Sequence, residues 1–380
     1  MTPLDRRRIE EALALAESSF GLTEPNPRVG CVIGDEHGAV FGRGATQQAG
    51  GPHAEVMALR DAAARGHDVR GATAWVTLEP CAHHGRTPPC CDALIAAGLA
   101  RVVAALEDPF PQVAGRGTQR LREAGIRVDG CDAGLSAAAW AVNIGFFSRV
   151  QRARPWVRMK SAASLDGRTA LPDGHSRWIT GPEARADGHH WRHRASAVLT
   201  GIGTVLADDP RLDVREVPAR HQPLRVVADS RLRLPRNALL LAPPGRVLLV
   251  HGVEGALPEP WPNVELLLTG TPEGRIDLPR LLSELAQRGV NELHVEAGPT
   301  LSGALLRQGL VDELLLYVAP SLIGPGRAIA EWPVLGSLDA RTALHWHEVQ
   351  RVGGDLRLRL LSAPGAAFAA AWKAPAPAAA

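Results

Sequence analysis

The sequence predicts an α/β protein organised as two domains, and three observations carry that expectation. The chain has 380 residues, enough for two domains at roughly 150 residues each. Short β-branched runs alternate with alanine-rich helical patterns along nearly all of it, as in α/β layer folds. Midway, "NIGFFSRVQRARPWVRMKSAASLDG" sets basic residues and Pro155 before a fresh strand, "WVRMKSAAS", which places the boundary near Val150.

The opening segment, "MTPLDRRRIEEALALAESSFG", reads as an amphipathic helix with Leu4, Ile9, Leu13, Leu15 and Ala16 toward one side. It has no continuous apolar core, so it does not read as a signal peptide. Buried strands are expected at Val29–Asp35, Ala72–Pro80 and Ala100–Asp108, and helices at "HAEVMALRDAAARG", "CCDALIAAGL" and "GTQRLREAGI". The second half alternates again through "PLRVVADS", "GRVLLVHG", "VELLLTG", "RLLSELAQRG", "NELHVEAGPTLSGALLRQG" and "VDELLLYVAP". The expected domains are therefore 1–150 and 151–362, with 363–380 an Ala/Pro-rich disordered tail.

Composition narrows the function. Hydrophobic residues at 45% and charged residues at 22% are ordinary for a soluble globular protein. A net charge of +2 without a basic block argues against a nucleic-acid binder, while leaving room for a small anionic substrate. No apolar run reaches the length of a membrane span. Five cysteines in a chain of this size do not suggest a disulfide framework. The expectation is a cytoplasmic enzyme.

The chemistry concentrates at "GGPHAEVMAL" and "LEPCAHHGRTPPCCDAL". His53 stands at a helix start with Glu55 two residues on. Cys81 follows a strand, and Cys90 opens a helix. One imidazole and two thiolates supply three zinc positions and leave a fourth for water, as catalytic sites do. Zinc lowers the pKa of bound water, and Glu55 is placed to pass the proton to a leaving amine. The competing possibility is a closed structural site completed by Cys31, Cys91 or His83. Cys91 adjoins Cys90 on a helix and reads as a small buried residue.

Together, "NPRVGCVI", "GGPHAEV", "TLEPCAHHGRTPPCCDALI" and "DPFPQVAGRG" resemble the deaminase half of the bifunctional riboflavin-biosynthesis deaminase/reductase family. "KSAASLDGRTA", "HSRWIT", "GTVLADDPRLDVR" and "VEAGPTLSG" resemble its reductase half, so the likeness covers residues 5 to 362. It includes the eight residues between Cys81 and Cys90, against the two of cytidine deaminases. The resemblance implies a cytidine-deaminase-like three-layer α/β/α domain followed by a dihydrofolate-reductase-like α/β domain. It implies zinc on His53, Cys81 and Cys90, a proton shuttle at Glu55, and substrate contacts at Asn26 and Arg86. The implied substrate is a pyrimidine nucleotide, 2,5-diamino-6-(5-phosphoribosylamino)pyrimidin-4(3H)-one, which loses an amine as ammonia. Two positions depart from the family pattern. Thr46 stands where a histidine is usual, and Phe110 replaces an asparagine in "DPNP". They motivate a second reading, in which the deaminase half is impaired and the chain acts mainly as a reductase.

For the second domain the resemblance implies NADPH-dependent reduction of the ribosyl group to a ribityl chain. The implied cofactor contacts are Ala162, Trp178, Thr204, Asp208, Ser230 and the run Gly298, Pro299, Thr300, Leu301, Ser302, Gly303 and Ala304. That run follows a strand and opens a helix whose N–H groups can face a pyrophosphate. The implied substrate contacts are Lys160, Ser176, Arg192, Leu212, Arg215 and Glu296. The preference for NADPH over NADH rests on the resemblance alone, because the G-x-G of "TGIGTVLADDP" is a weak dinucleotide signal. Family members commonly form homo-oligomers, so one is expected here. His189 and His193 have a ligand-like spacing without a third partner and read as a solvated helix face.

Overall fold

The computed structural model describes all residues except 86, 110–113, 220, 256, 258, 260 and 373–380. Two compact units divide the chain, one over Met1–Arg152 and one over Ala153–Phe368.

The first unit runs α1 (Pro3–Glu17), β1 (Gly30–Gly34), β2 (Val40–Ala45), α2 (Ala54–Ala64), β3 (Thr73–Val76), α3 (Cys90–Ala96), β4 (Arg101–Ala104), α4 (Arg116–Glu123), β5 (Arg127–Gly130) and α5 (Ala133–Arg152). Its sheet has the order β2-β1-β3-β4-β5. β1 is antiparallel to β2 and β3, and the β3–β4–β5 ladders are parallel. Every residue of β1 and β3 is buried, as expected of strands covered on both faces. α1 buries Ile9, Ala12, Leu13 and Ala16, while Leu4 and Leu15 are half-buried. It also buries Asp5, which completes a capping box with Thr2 and accepts hydrogen bonds from Trp75 Nε1 (2.8 Å) and Arg101 Nη1 (2.7 Å).

α2 lies directly on β2. A Cβ on Gly44 would stand 2.1 Å from the Ala54 carbonyl oxygen and 2.4 Å from the Ala58 nitrogen. Glycine at this strand position therefore fixes how closely the first turn of α2, with His53 and Glu55, approaches the sheet.

The second unit runs β6 (Trp156–Ser164), β7 (Arg168–Ala170), α6 (Pro182–Arg194), β8 (Ala197–Gly201), α7 (Ile202–Asp208), β9 (Leu224–Ala228), β10 (Val247–His251), β11 (Val264–Leu268), α8 (Leu278–Gln287), β12 (Glu292–Val295), α9 (Pro299–Arg307), β13 (Glu313–Ala319), β14 (Arg327–Ala328), β15 (His345–Val352), β16 (Asp355–Leu361) and α10 (Ala363–Ala369). Its main sheet has the order β11-β10-β9-β8-β12-β6-β13-β16-β15. It is parallel from β11 to β13 and closes with antiparallel β16 and β15.

Alternation along the strands separates two chemistries. Val157, Met159, Leu293 and Val295 join Leu281, Leu282 and Leu285 of α8 in an apolar core. The intervening residues are charged and buried: Arg158 meets Glu292 at 2.8 Å and Glu313 at 3.0 Å. The Arg158 guanidinium also lies 4.4 Å from the ring centre of Trp191 on α6. A buried charge survives only when paired in this way.

The tail expectation changes in part. Residues Ala363–Ala369 form α10, because alanine is the strongest helix former and the segment has a seat. Ser362 Oγ accepts from Gly365 N at 3.1 Å, and the Phe368 ring centre lies 6.1 Å from that of Trp156. Residues 373–380 lie outside those described.

Candidate active sites

His53 is the N-cap of α2, in extended backbone, yet its side chain makes no capping bond. The imidazole turns instead toward two sulfurs. His53 Nδ1 lies 3.7 Å from Cys81 Sγ and 3.3 Å from Cys90 Sγ, and Nε2 lies 3.4 Å from Thr87 Oγ1. Zinc–nitrogen and zinc–sulfur bonds in a tetrahedron imply nitrogen–sulfur edges of about 3.6 Å, so the three atoms fit that ion. The Cys90 backbone N–H, at the start of α3, donates to Cys81 Sγ at 3.3 Å, a helix-start contact that favours thiolate. The Cys90 thiol, followed by the His53 imidazole and that N–H, outweighs burial and holds Cys81 at about 4. Cys90 is pushed up in return, since the two sulfurs share one proton until a cation takes its place.

His53, Cys81 and Thr87 open into a cavity of about 350 Å³ lined also by Asn26, Thr46, Glu55, Glu79, Asp108 and Arg149. Burial pushes the Glu55 carboxyl up to about 7, and the Cys81 thiolate adds to the rise. A carboxyl poised there suits proton transfer near neutrality. Among the described residues, no fourth protein ligand joins His53, Cys81 and Cys90. Cys91 Sγ donates to the carbonyls of Pro80 (3.2 Å) and Gly117 (3.5 Å), away from the site.

The second unit holds a cavity of about 860 Å³. Of the expected residues it brings together Lys160, Ala162, Ser176, Thr204, Asp208, Ser230, Glu296, Gly298, Pro299, Thr300, Leu301 and Ala304. Gly298 caps α9, and its N–H is taken by Thr204 Oγ1 at 3.1 Å. The N–H groups of Thr300 and Leu301 precede the first intrahelical bond, from Ser302 N to Gly298 O at 3.1 Å, and so can serve an anion. Burial draws the Lys160 ammonium below its ordinary value, against the opposing pull of Glu296.

Other expected contacts lie off this wall. Arg192 forks onto Glu296, with Nη2 to Oε2 at 2.9 Å, and so reaches the cavity through that carboxylate. Arg215 pairs with Asp213 at 2.7 Å, and Leu212 is buried with φ of 53°. Ser302 and Gly303 face into the fold, where a Cβ on Gly303 would meet Glu331 O at 2.3 Å. Trp178 is exposed beneath the Arg185 guanidinium, 4.4 Å from the ring centre. His189, read as solvated, is buried. Arg86 and Phe110 lie outside the described residues.

Comparison with known proteins matches both units. Residues 3–106 match the cytidine and deoxycytidylate deaminase zinc-binding region, and residues 155–358 match the RibD C-terminal domain. Riboflavin biosynthesis protein RibD of Escherichia coli is 45% identical over 94% of this chain and all of its own length. RibD of Aquifex aeolicus is 39% identical over 93% of this chain and 97% of its own. The chain belongs to the RibD family. Among solved RibD-family structures, that of Acinetobacter baumannii RibD superposes with a TM-score of 0.82 at 40% identity, covering 94% of this chain and 99% of that one. A Thermotoga maritima diaminohydroxyphosphoribosylaminopyrimidine deaminase/5-amino-6-(5-phosphoribosylamino)uracil reductase gives 0.85 at 31% identity with the same coverage. The two-domain deaminase-plus-reductase fold and the bifunctional riboflavin-biosynthesis assignment stand on these matches.

Within this RibD-family chain, some site residues escape sequence reasoning. Glu79 is buried and accepts from the N–H groups of Asp108 (3.2 Å), Gly115 (3.0 Å) and Thr118 (2.8 Å), which holds those three residues beside the strand end that precedes Cys81. Its place in "EPC" was the available signal. Thr87 and Arg149 carry no comparable signal. Thr46 lines the first cavity while its hydroxyl accepts from Val29 N at 3.2 Å, which ties it to the sheet.

Proposed function

We propose that the first unit deaminates 2,5-diamino-6-(5-phosphoribosylamino)pyrimidin-4(3H)-one to 5-amino-6-(5-phosphoribosylamino)uracil, with His53, Cys81 and Cys90 holding zinc. The observation that carries this is the triangle of Nδ1 and two sulfurs with Glu55 in the same cavity. Zinc held there would supply an activated water for attack on the carbon bearing the amine. Glu55 would take a proton from the attacking water and deliver it to the departing nitrogen, so that water enters and ammonia leaves. Asn26 meets the pyrimidine, and Arg86 the phosphate.

The second unit's larger cavity would hold NADPH, with the free N–H groups at the start of α9 serving its pyrophosphate. NADPH bound there would supply a hydride to the ribose C1′ and leave as NADP+, while the C1′–ring oxygen bond opens and the oxygen takes a proton from water, giving a ribityl chain. Lys160 and Glu296 meet the polar edge of the pyrimidine, with Ser176, Arg192, Leu212 and Arg215 completing the substrate side. Ala162, Trp178, Asp208, Ser230, Ser302, Gly303 and Ala304 belong to the cofactor side. The second reading, a chain acting mainly as a reductase, has the complete zinc triangle and Glu55 against it.

The enzyme works as a homo-oligomer in the cytoplasm. Exposed Leu322, Val334, Leu338, Trp346 and Val349 on the second unit support association, and no described helix is long and apolar enough to cross a membrane. The deciding experiment supplies the diamino nucleotide to zinc-assayed protein with and without NADPH. Ammonia should appear without NADPH, and NADPH should then be consumed. Failure of ammonia to appear, with the pre-deaminated substrate still oxidising NADPH, would leave only the reductase.

A further inference from the structure

Zinc ligation accounts for the two ends of the segment from Cys81 to Cys90 and leaves the eight residues between them without a role. Cytidine deaminases join the same two ligands through two residues, so the ion does not require the extra length. The loop is shut at its base. The Cys91 N–H donates to the Cys81 carbonyl at 3.2 Å, and the Cys90 N–H donates to Cys81 Sγ at 3.3 Å. Further out, the Gly85 N–H donates to the Thr87 carbonyl at 3.2 Å, and Pro88 and Pro89 lead back into α3.

Thr87 is the stiff point of this loop. A residue before proline is confined to extended backbone, both prolines have a fixed φ, and a β-branched side chain has few χ1 choices. What the segment presents is a hydroxyl. Thr87 Oγ1 lies 3.4 Å from His53 Nε2, across the ring from the two sulfurs that face Nδ1. Among the described residues, Nε2 has no other hydrogen-bond partner. The tautomer follows from this arrangement. Nδ1, which faces the sulfurs, gives its lone pair to an ion held there, and the ring proton is left on Nε2. Thr87 Oγ1 is then the acceptor for that N–H.

We infer that Thr87 is a positioning residue of the metal centre: its hydroxyl oxygen accepts a hydrogen bond from His53 Nε2–H, which fixes the tautomer and aims Nδ1 at the ion. The long loop carries that acceptor back over the far edge of the imidazole. Spacing alone shows that a loop exists; its return to His53 is visible only in the fold. Helix α2 gives the ring no hold of its own, because His53 makes no side-chain capping bond. An outer partner of this kind orients a ligating histidine, raises its basicity, and is worth about 10- to 100-fold in metal affinity. The inference rests on the zinc reading proposed above and adds to it a residue that acts through His53.

The test compares full-length Thr87→Val, which keeps the β-branched shape and loses the hydroxyl, with Thr87→Ser, which restores it. Zinc affinity is read by competition with a chromogenic chelator, and thermal melting is followed with and without zinc. Thr87→Val should bind zinc about 10- to 100-fold more weakly and melt like the wild type when zinc-free. Thr87→Ser should recover most of the affinity. Zinc binding by Thr87→Val as tight as that of the wild type would overturn the inference. A zinc-free Thr87→Val protein destabilised as much as the zinc-loaded one would also overturn it, as would a serine variant no better than valine. Either result would mean that Thr87 shapes the loop and not the imidazole. If the wild-type protein takes up no zinc at all, the zinc reading fails and the inference with it, a result seen before any variant is compared.

Discussion

Glu55 and the three candidate zinc ligands can be separated by substitution, because they act on different observables. Glu55→Gln should retain zinc, measured by atomic absorption, and lose roughly 10²- to 10⁴-fold in ammonia release. NADPH oxidation with the pre-deaminated substrate should be unchanged. Cys81→Ala should lose zinc and deamination together. Cys91→Ala should keep both, since its sulfur faces the carbonyls of Pro80 and Gly117; zinc loss in that variant would reopen the closed structural site. These residues were readable from sequence because metal ligation is a demand on residue type and spacing. Thr87 and Arg149 were not, because a hydroxyl or guanidinium enters a cavity through tertiary packing that leaves no local pattern. Arg192 was readable as a residue, but its fork onto Glu296 is visible only once β12 and α6 are folded.

The helices that carry the ligands depend on close backbone packing more than on side-chain burial. Gly44→Ala would drive a methyl group into the Ala54 carbonyl at the first turn of α2. Overpacking of this kind costs about 1–3 kcal/mol, and the displaced turn carries His53. The expected outcome is a lower melting temperature together with weaker zinc retention in chelator competition. A variant that melts lower yet holds zinc as tightly as before would show that the turn and the strand move together. The same feature explains why β2 is hard to read in advance: "VFGRGA" has two glycines and an arginine where β propensity asks for branched residues. The strand exists because its glycines admit α2. β15 and β16 are obscured differently, since "HWHEVQRV" and "DLRLRLL" place charged residues on the face that meets the ionic layer under α6. Strongly patterned elements such as α8 and β6 stood out from the beginning.

The two units should respond differently to solution conditions. In the first, burial would raise the Asp5 carboxyl, but Arg101, the Thr2 N–H and the Trp75 indole hold it well below the usual range. A depressed folded pKa stabilises above the unfolded value of about 3.9 and loses that contribution as pH falls below it. Acid unfolding of the first unit should therefore steepen below about pH 4, and Asp5→Asn should flatten that limb while lowering stability at neutral pH. Urea melts followed by circular dichroism from pH 3 to 7 check this. The sequence places Asp5 inside the opening helical segment without marking it, because its partners Trp75 and Arg101 arrive from β3 and β4. Finally, the metal triangle joins positions 28 and 37 residues apart, drawn from two helix starts and the turn after β3. Such a triangle cannot exist in the unfolded chain, so whatever free energy the ion gives on binding is also given to folding. Zinc supply then governs how long the first unit survives as well as whether it turns over. Under zinc limitation, the deaminase half should become the part of the polypeptide that proteases cut first, while the reductase half persists.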